Sequence, residues 1–427
     1  MPSSDTTRVP LTRRALLGRT AGAAAGIAAA TGTAAGSQSA VAAPTVMTQN
    51  AYLGFDVAAL ARAESMADVR RIAGDLFEQV EPERYGARAD SFAAAVETND
   101  PAVVALQEVV ALRRQQPGDF GTESSEAASE VVVDFLSRIR TALDDRGLDY
   151  TVAAEAVTND VELPAETDDG AVDVRLTDRD VLLVRGDLDT ADAVTGTYDA
   201  ALALPVPGTD RRLVVNRGYA MADVTVDGVE FTAVSTHLES TSATFRRLQA
   251  RELLDILPAD GPVVLGGDIN SAPGSGAYEL LTDTLTDPYA ELRPEADGYT
   301  CCQADDLRND QSQLTRRIDT VLYRGAVSPT SVGRVGHEPG DRVAVAVDGE
   351  TVRVWPSDHA GVVTTLEIQS TPAEATTPST AATPSPTASG TPSAPTATGV
   401  SAPGFGLLSA VAGLVLGVGT WLRRRSD

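Results

Sequence analysis

Six short segments place polar residues at the ends of apolar runs. Gln49-Asn50, Gln107-Glu108, Thr236-His237, Gly267-Asp268-Ile269-Asn270 and Ser357-Asp358-His359 each follow such a run, and Arg317-Ile318-Asp319 begins one. Taken singly each is ordinary. Glu108 reads as a solvated strand-end residue, Gly-Gly-Asp-Ile-Asn-Ser-Ala-Pro as turn composition, Asp358-His359 as a surface pair, and Asp319 as a partner for Arg316 or Arg317. Taken together they are not. The chain has 3 histidines, and two of them, His237 and His359, fall inside these segments. Polar groups gathered at one rim of a sheet make a cleft floored by rigid elements. The third, His337, sits in a polar Gly336-His337-Glu338-Pro339-Gly340 loop.

The residue types point to one kind of reaction. Glu108, Asp268, Asn270 and Asn50 offer hard oxygens, which suit Mg²⁺ or Mn²⁺ better than zinc. Histidines backed by carboxylates contact phosphoryl oxygens or move protons. Gly-x-Ser-x-Gly and Cys-x-x-Cys are both missing, so serine-esterase and thiol chemistry have no support. A metal clamp with acid–base groups fits attack by water on a phosphate ester.

The elements that must hold these residues follow from periodicity. Thr45 to Thr48 reads as a first strand, and Arg88 to Thr98 as a helix with Ala89, Phe92 and Val96 on one side. Asn99-Asp100-Pro101 ends that helix and launches a strand over Ala102 to Leu106. Val132, Leu136, Ile139 and Leu143 keep helical spacing, with Gly147 as the stop. Asp227-Gly228 between Tyr219–Val226 and Val229–Ser235 is a strong hairpin signal. A helix over about Ala243 to Leu257 and strands near Val263–Leu265, Ile318–Tyr323 and Val362–Ile368 complete the set. Hairpins mixed with strand–helix units imply two sheets packed together and covered by helices, an α/β fold.

The order Thr-Gln-Asn, Leu-Gln-Glu-Val, Ser-Thr-His-Leu, Gly-Gly-Asp-Ile-Asn, Arg-Ile-Asp, Ser-Asp-His, from Thr48 to Val362, resembles the endonuclease/exonuclease/phosphatase superfamily of metal-dependent phosphohydrolases. The resemblance implies a four-layer sandwich: two mixed β-sheets face to face, flanked by helices. It implies Glu108 as the principal metal carboxylate, with Asn50 beside the metal and Asp358 as a possible second contact. It implies Asp268 as the group that orients or deprotonates water, and Asn270 as its companion. It further implies His359 against phosphate with Asp319 orienting it, and His237 near the leaving group. Arg217, in Asn216-Arg217-Gly218-Tyr219, resembles a substrate-phosphate arginine, though a surface role reads nearly as well. Tyr52 stands where some relatives carry an acidic residue, and Thr300-Cys301-Cys302-Gln303 matches no superfamily-wide signature. With adjacent Cα atoms about 3.8 Å apart, too close for an unstrained disulfide, the cysteines read as local packing.

Both ends read as address labels. Thr12-Arg13-Arg14-Ala15-Leu16-Leu17, an Ala/Gly-rich apolar run and Ala40-Val41-Ala42 form a twin-arginine signal over 1–42. The catalytic body is expected over 43–369. Residues 370–403 collapse to Thr, Ser, Pro and Ala and read as an extended stalk. Residues 404–427 hold an uncharged stretch before Arg423-Arg424-Arg425, which resembles the PGF-type sorting signal of archaeal surface proteins; a retained membrane helix is the plainer alternative. The formal net charge is −26 and every one of the 34 basic residues is arginine. Such a surface suits concentrated salt, where a Debye length of about 3 Å screens self-repulsion and repulsion of polyanions alike.

These readings give a monomeric, exported, membrane-tethered phosphodiesterase using Mg²⁺ or Mn²⁺, with nucleic acid as the leading substrate. Alternatives are a sphingomyelinase-like lipid-headgroup phosphodiesterase, a phosphomonoesterase, and a surface binding module on the same fold. The last is opposed by the intact set Glu108, Asp268, Asn270, Asp319 and His359.

Overall fold

Along strand Thr45–Asn50 side chains alternate between faces, and the whole strand is buried beyond its first residue. A strand buried on both sides needs cover on both sides, and the protein supplies it. The computed structural model describes residues 40–370, apart from 124, 208–209, 211 and 348. The twin-arginine segment before Ala40, nearly all of the stalk and the apolar C-terminal stretch lie outside the described residues. Among the described residues no helix is long and apolar enough to cross a membrane.

Two mixed sheets pack face to face. The larger has nine strands, with Thr45–Asn50 parallel to Val103–Gln107 at its centre and antiparallel to Gly361–Gln369. The smaller has five, in the spatial order Asp319–Arg324, Val263–Asp268, Val229–His237, Gly218–Val226, Asp189–Thr197. Small residues line the interface: Ala105 from one sheet, Ala220, Ala222 and Ala233 from the other, with Val264 and Phe231 between them. Gly266 shows how close the sheets come, since a Cβ there would lie 2.9 Å from the Cβ atoms of both Ala105 and Thr48. Helices Pro82–Asn99 and Phe135–Asp145 cover the outer face of the larger sheet through Phe92, Val96, Ile139 and Leu143. Helix Ala243–Ile256 covers the smaller sheet through Ala250 and Leu253. Each such fully buried large side chain contributes about 1.5–3 kcal/mol. The result is the four-layer α/β sandwich.

The departures from the expected elements have local causes. The helix expected from Arg88 begins at Pro82: proline suits the first helical turn, where its missing N–H is no loss, and Glu83 favours the positive end. Val132 lies in strand Glu130–Asp134, because Asp134 accepts from the Ser137 N–H at 3.3 Å and starts the helix at Phe135. Strands Tyr150–Thr167 and Gly170–Arg185 form a long hairpin that the sequence hides behind Asp, Glu and Thr. The hairpin signal at Asp227-Gly228 is met in full, both residues taking positive φ between strands Gly218–Val226 and Val229–His237. Cys301 and Cys302 correct the local-packing reading: they are disulfide-bonded, and a cis peptide sets their Cα atoms 3.1 Å apart. Val41–Ala42, inside the expected processing site, pairs with Ile368 and Gln369 at the edge of the larger sheet.

Candidate active site

Register places the polar segments. In the smaller sheet His237 pairs with Gly218 on one side and Asp268 on the other, and Asp268 pairs with Asp319. Arg217, His237, Asp268 and Asp319 therefore cross one rim of that sheet. In the larger sheet Asn50 lies beside Gln107, with Glu108 next along. The two rims meet. Gln107 and Ser235 stitch them behind the cleft, with Gln107 Nε2 donating to Ser235 Oγ at 3.0 Å and Ser235 Oγ to the Leu106 carbonyl at 3.0 Å.

Asn50 is the link between the sheets' carboxylates. Its amide nitrogen donates to Glu108 Oε1 at 3.2 Å and to Asp268 Oδ2 at 3.1 Å. Its oxygen accepts from the Tyr52 N–H at 2.9 Å, so Asn50 tethers two candidate ligands and keeps one lone pair of its own oxygen free. Glu108 Oε2 accepts from the Leu53 N–H at 3.0 Å. Glu108, Tyr52 and Asn270 all take positive φ (56°, 63° and 49°), a conformation costing on the order of 1–3 kcal/mol that clusters at functional sites. Arg179 helps hold the turn after Glu108: its Nε donates to the Val109 carbonyl at 2.9 Å while its own carbonyl accepts from Val109 N–H.

The two histidines are set in opposite states. His359 Nδ1 lies 2.8 Å from Asp319 Oδ2 and 3.8 Å from Asp268 Oδ2. Burial disfavours its cation, but Asp319, Asp358 and Asp268 outweigh burial and hold the ring well above its usual pKa. His237 is held well below its own by burial, with Arg217 and His359 adding to the effect. Arg217 Nη1 donates to His237 Nδ1 at 3.0 Å, which makes Nδ1 the acceptor and puts the ring proton on Nε2. Nε2–H faces Asp268 Oδ2 at 3.5 Å, and the Asn270 amide nitrogen 3.0 Å away is itself a donor, to the Leu238 carbonyl. Arg217, expected on substrate phosphate, here donates to a histidine ring.

Burial pushes Asp268 up to about 6, with Asp319 adding to the rise and His359 opposing it. Burial also pushes Asp358 up to about 7, opposed by His359 and reinforced by Glu108. Several carboxylates therefore face one protonated ring, and Arg88, acting on Asp358, offsets only part of the excess negative charge. That excess, and the all-oxygen donors of Glu108, Asp268 and Asp358, fit a hard divalent cation. The cluster Asp268, Asp319 and His359, with ligand atoms within 4.8 Å of one another, is buried throughout.

Sequence reasoning missed several supports. Thr300 Oγ1 accepts from the Ile318 and Asp319 N–H groups at 3.1 and 3.0 Å, and Cys301 bridges to His359. Cys302 Sγ lies 3.9 Å from His359 Nε2. Buried Asp178 and Asp180 stand on one face of strand Gly170–Arg185 near Arg217, and burial raises both. Two acids two residues apart, in Asp178-Arg179-Asp180 leading into the apolar Val181-Leu182-Leu183-Val184, were the available signal.

The sequence pattern described as the Endonuclease/Exonuclease/phosphatase family matches residues 47–359. A search of curated proteins finds no match. Among solved structures the chain is similar to an endonuclease/exonuclease/phosphatase family protein from Bacteroides thetaiotaomicron, at 17% identity over 78% of this chain and 97% of that one, TM-score 0.49. It is similar to the mannosyl-6-phosphatase of the same organism at 17% identity, over 76% and 99%, TM-score 0.47. A D. rerio TDP2 complexed with single strand DNA product matches at 17% identity, over 76% and 98%, TM-score 0.41.

Proposed function

The chain belongs to the endonuclease/exonuclease/phosphatase family, and we propose that this phosphohydrolase is a divalent-metal-dependent phosphodiesterase acting on nucleic acid at the cell surface. The observation that carries the reading is the single rim where Asn50, Glu108, Asp268, Asn270, His237, Asp319 and His359 converge. Glu108 and Asp358, with Asp268 close by, would hold Mg²⁺ or Mn²⁺. When bound, the cation supplies charge neutralisation and polarisation at a phosphoryl oxygen.

The chain's own groups do the rest. Asp268, with a pKa near 6, is ionised at neutral pH and suited to take a proton from attacking water. Its Oδ1 accepts from the Asn270 N–H at 2.9 Å and its Oδ2 from Asn50, which fixes the carboxylate. His359, with Nδ1–H on Asp319, presents a protonated Nε2 to a non-bridging phosphoryl oxygen. His237 keeps Nε2–H beside Asp268 and Asn270, where it can donate to the leaving oxygen. Attack forms one P–O bond and breaks the bond to that leaving oxygen.

The substrate test is a panel in molar salt with Mg²⁺ or Mn²⁺: plasmid DNA, RNA, phospholipid vesicles, a chromogenic phosphodiester and its monoester. We expect nucleic acid and the diester to be cleaved fastest. Preference for phospholipid or for the monoester would move the assignment to the corresponding alternative.

Export is a separate part of the proposal, supported by the twin arginines and the small-residue processing site. The mature protein should lack its first ~42 residues. N-terminal sequencing that finds Met1 or Pro2 would rule export processing out. Mass analysis of the C-terminus separates lipid replacement of the tail from a retained membrane helix, according to whether Arg423–Arg425 persist.

A further inference from the structure

The chain has two cysteines, adjacent in sequence and bonded to each other. A disulfide stabilises mainly by closing a loop, and more as the loop lengthens. Cys301 and Cys302 are already joined through one peptide bond, so their bridge closes almost nothing. Its role lies in what the sulfurs touch.

The pair sits on a strap laid across the loop of His359. The Thr300 carbonyl accepts from the Ala360 N–H, and the Gln303 N–H donates to the Asp358 carbonyl, both at 2.8 Å. Backbone bonds therefore fix the strap on either side of the two sulfurs. Along its other edge the Cys301 N–H donates to the Arg316 carbonyl at 2.9 Å, and the Cys301 carbonyl accepts from the Arg316 N–H at 3.0 Å. Two cationic groups thereby reach the sulfurs. Arg316 Nη2 donates to Cys301 Sγ at 3.0 Å and to Cys302 Sγ at 3.2 Å, and His359 Nε2 lies 3.9 Å from Cys302 Sγ. Asp358 Oδ2, also 3.9 Å from Nε2, is beyond hydrogen-bond reach. A disulfide sulfur is a weak, uncharged acceptor, so the N–H that reads a phosphoryl oxygen in the proposed reaction stays available to substrate. Cys301 is buried and Cys302 half-buried, so an attacking thiol meets Cys302 first.

We propose that Cys302 is a site of thiol–disulfide exchange, and that once freed its sulfur takes the His359 Nε2–H away from substrate. One thiolate of a small dithiol attacks Cys302 Sγ; the S–S bond breaks, a mixed disulfide forms, and Cys301 leaves as thiolate and takes up a proton. The second thiol of the reductant then attacks its own bound sulfur, closing a cyclic disulfide and releasing Cys302 as thiolate. Two electrons have passed from the dithiol to the cysteine pair. Between Arg316 and the His359 cation the Cys302 sulfur keeps its charge, because neighbouring cations favour the thiolate. No longer bonded to Cys301, its side chain can turn toward Nε2 and form a charge-assisted hydrogen bond. The biological sense of the device rests on the phosphodiesterase and export readings: a chain made in a reducing cytosol would cleave nucleic acid only after leaving it.

The test takes the full chain and a chromogenic phosphodiester at saturating Mg²⁺, a hard cation that thiols bind poorly, before and after excess dithiothreitol. Free thiols, counted in each state, should rise from none to the two cysteines of the chain. The ratio kcat/KM should fall by about tenfold or more, the loss expected of one charge-assisted hydrogen bond, and return on reoxidation with diamide. Cys301→Ser leaves the Cys302 sulfur permanently free and should be slow in both states. Cys302→Ser removes that sulfur and should be fast in both. Both variants lack the disulfide, so a purely structural bridge would move them together. The His359 ring reports without turnover: with 3 histidines in the chain, its nitrogen resonances are identified by their loss in His359→Ala. The Nε2 resonance should move on reduction and in Cys301→Ser, and stay in place in Cys302→Ser. Thermal melting checks the fold, and if Cys301→Ser does not fold, reduced wild type against Cys302→Ser decides. Unchanged kcat/KM in protein carrying both thiols, equal losses in the two variants, or an unmoved ring signal would overturn the proposal. Should the chain hydrolyse no phosphate ester, the ring signal alone decides, so the two readings fail separately.

Discussion

Glu108→Gln is expected to lower turnover by on the order of 10³-fold, about 4 kcal/mol of transition-state stabilisation, without a comparable loss of stability. The substitution keeps the shape and one oxygen to accept the Leu53 N–H, but it removes the charge and replaces the oxygen that accepts from Asn50 with a donor NH2. Glu108 lies at the end of a buried strand, on a left-handed backbone held by Arg179 and by the tether from Asn50. The Arg179 restraint acts on the backbone and does not involve the carboxylate, so the fold should survive loss of the Asn50 tether. Removing that charge also removes one of the repulsions that push Asp358 upward. The check is steady-state kinetics across a Mg²⁺ or Mn²⁺ titration, with thermal melting in parallel. Turnover within tenfold of wild type at saturating metal would show that Glu108 is not the principal ligand.

Asp319→Asn should lower turnover by roughly 10²–10⁴-fold, the range for a positioned acid–base group, while leaving metal affinity close to wild type. Asp319 is buried beside His359, and its loss removes the first of the carboxylates that hold the ring protonated. The sign follows. In the wild-type protein His359 keeps its proton well above the usual histidine range, so activity should persist through neutral pH. With asparagine, burial is opposed by fewer charges, the ring's pKa falls, and the basic limb of the pH–rate profile should move to lower pH. A merely structural role for Asp319 would lower the rate without moving that limb. The double variant with His359→Ala should be little worse than the worse single variant, because residues acting as a unit are non-additive. Strictly additive losses would separate the two residues.

The rim was legible because its residues are of unusual type for where they stand. Two of three histidines and a run of acids follow apolar strands, and strand register alone then aligns His237, Asp268 and Asp319. The hairpin at Asp227-Gly228 was legible because positive φ at two successive residues narrows the choice of residue. Gly266 was visible only as turn composition; its cause is the distance between sheets, a tertiary fact. Arg88 was hidden for a similar reason. It falls on the Tyr85, Ala89, Phe92, Val96 stripe, where a charge reads as the end of the apolar pattern and not as a buried guanidinium. The Tyr150–Arg185 hairpin escaped because its strands carry acids and threonines on exposed stretches, which blurs the two-residue period.

The central claim is that this rim hydrolyses phosphate esters through a divalent cation. The most direct measurement is hydrolysis of a chromogenic phosphodiester by the purified protein, first stripped with excess chelator and then titrated with Mg²⁺ or Mn²⁺. The account predicts loss of turnover in chelator and saturable recovery on adding metal, with no recovery in Glu108→Gln. Undiminished turnover in excess chelator would contradict it.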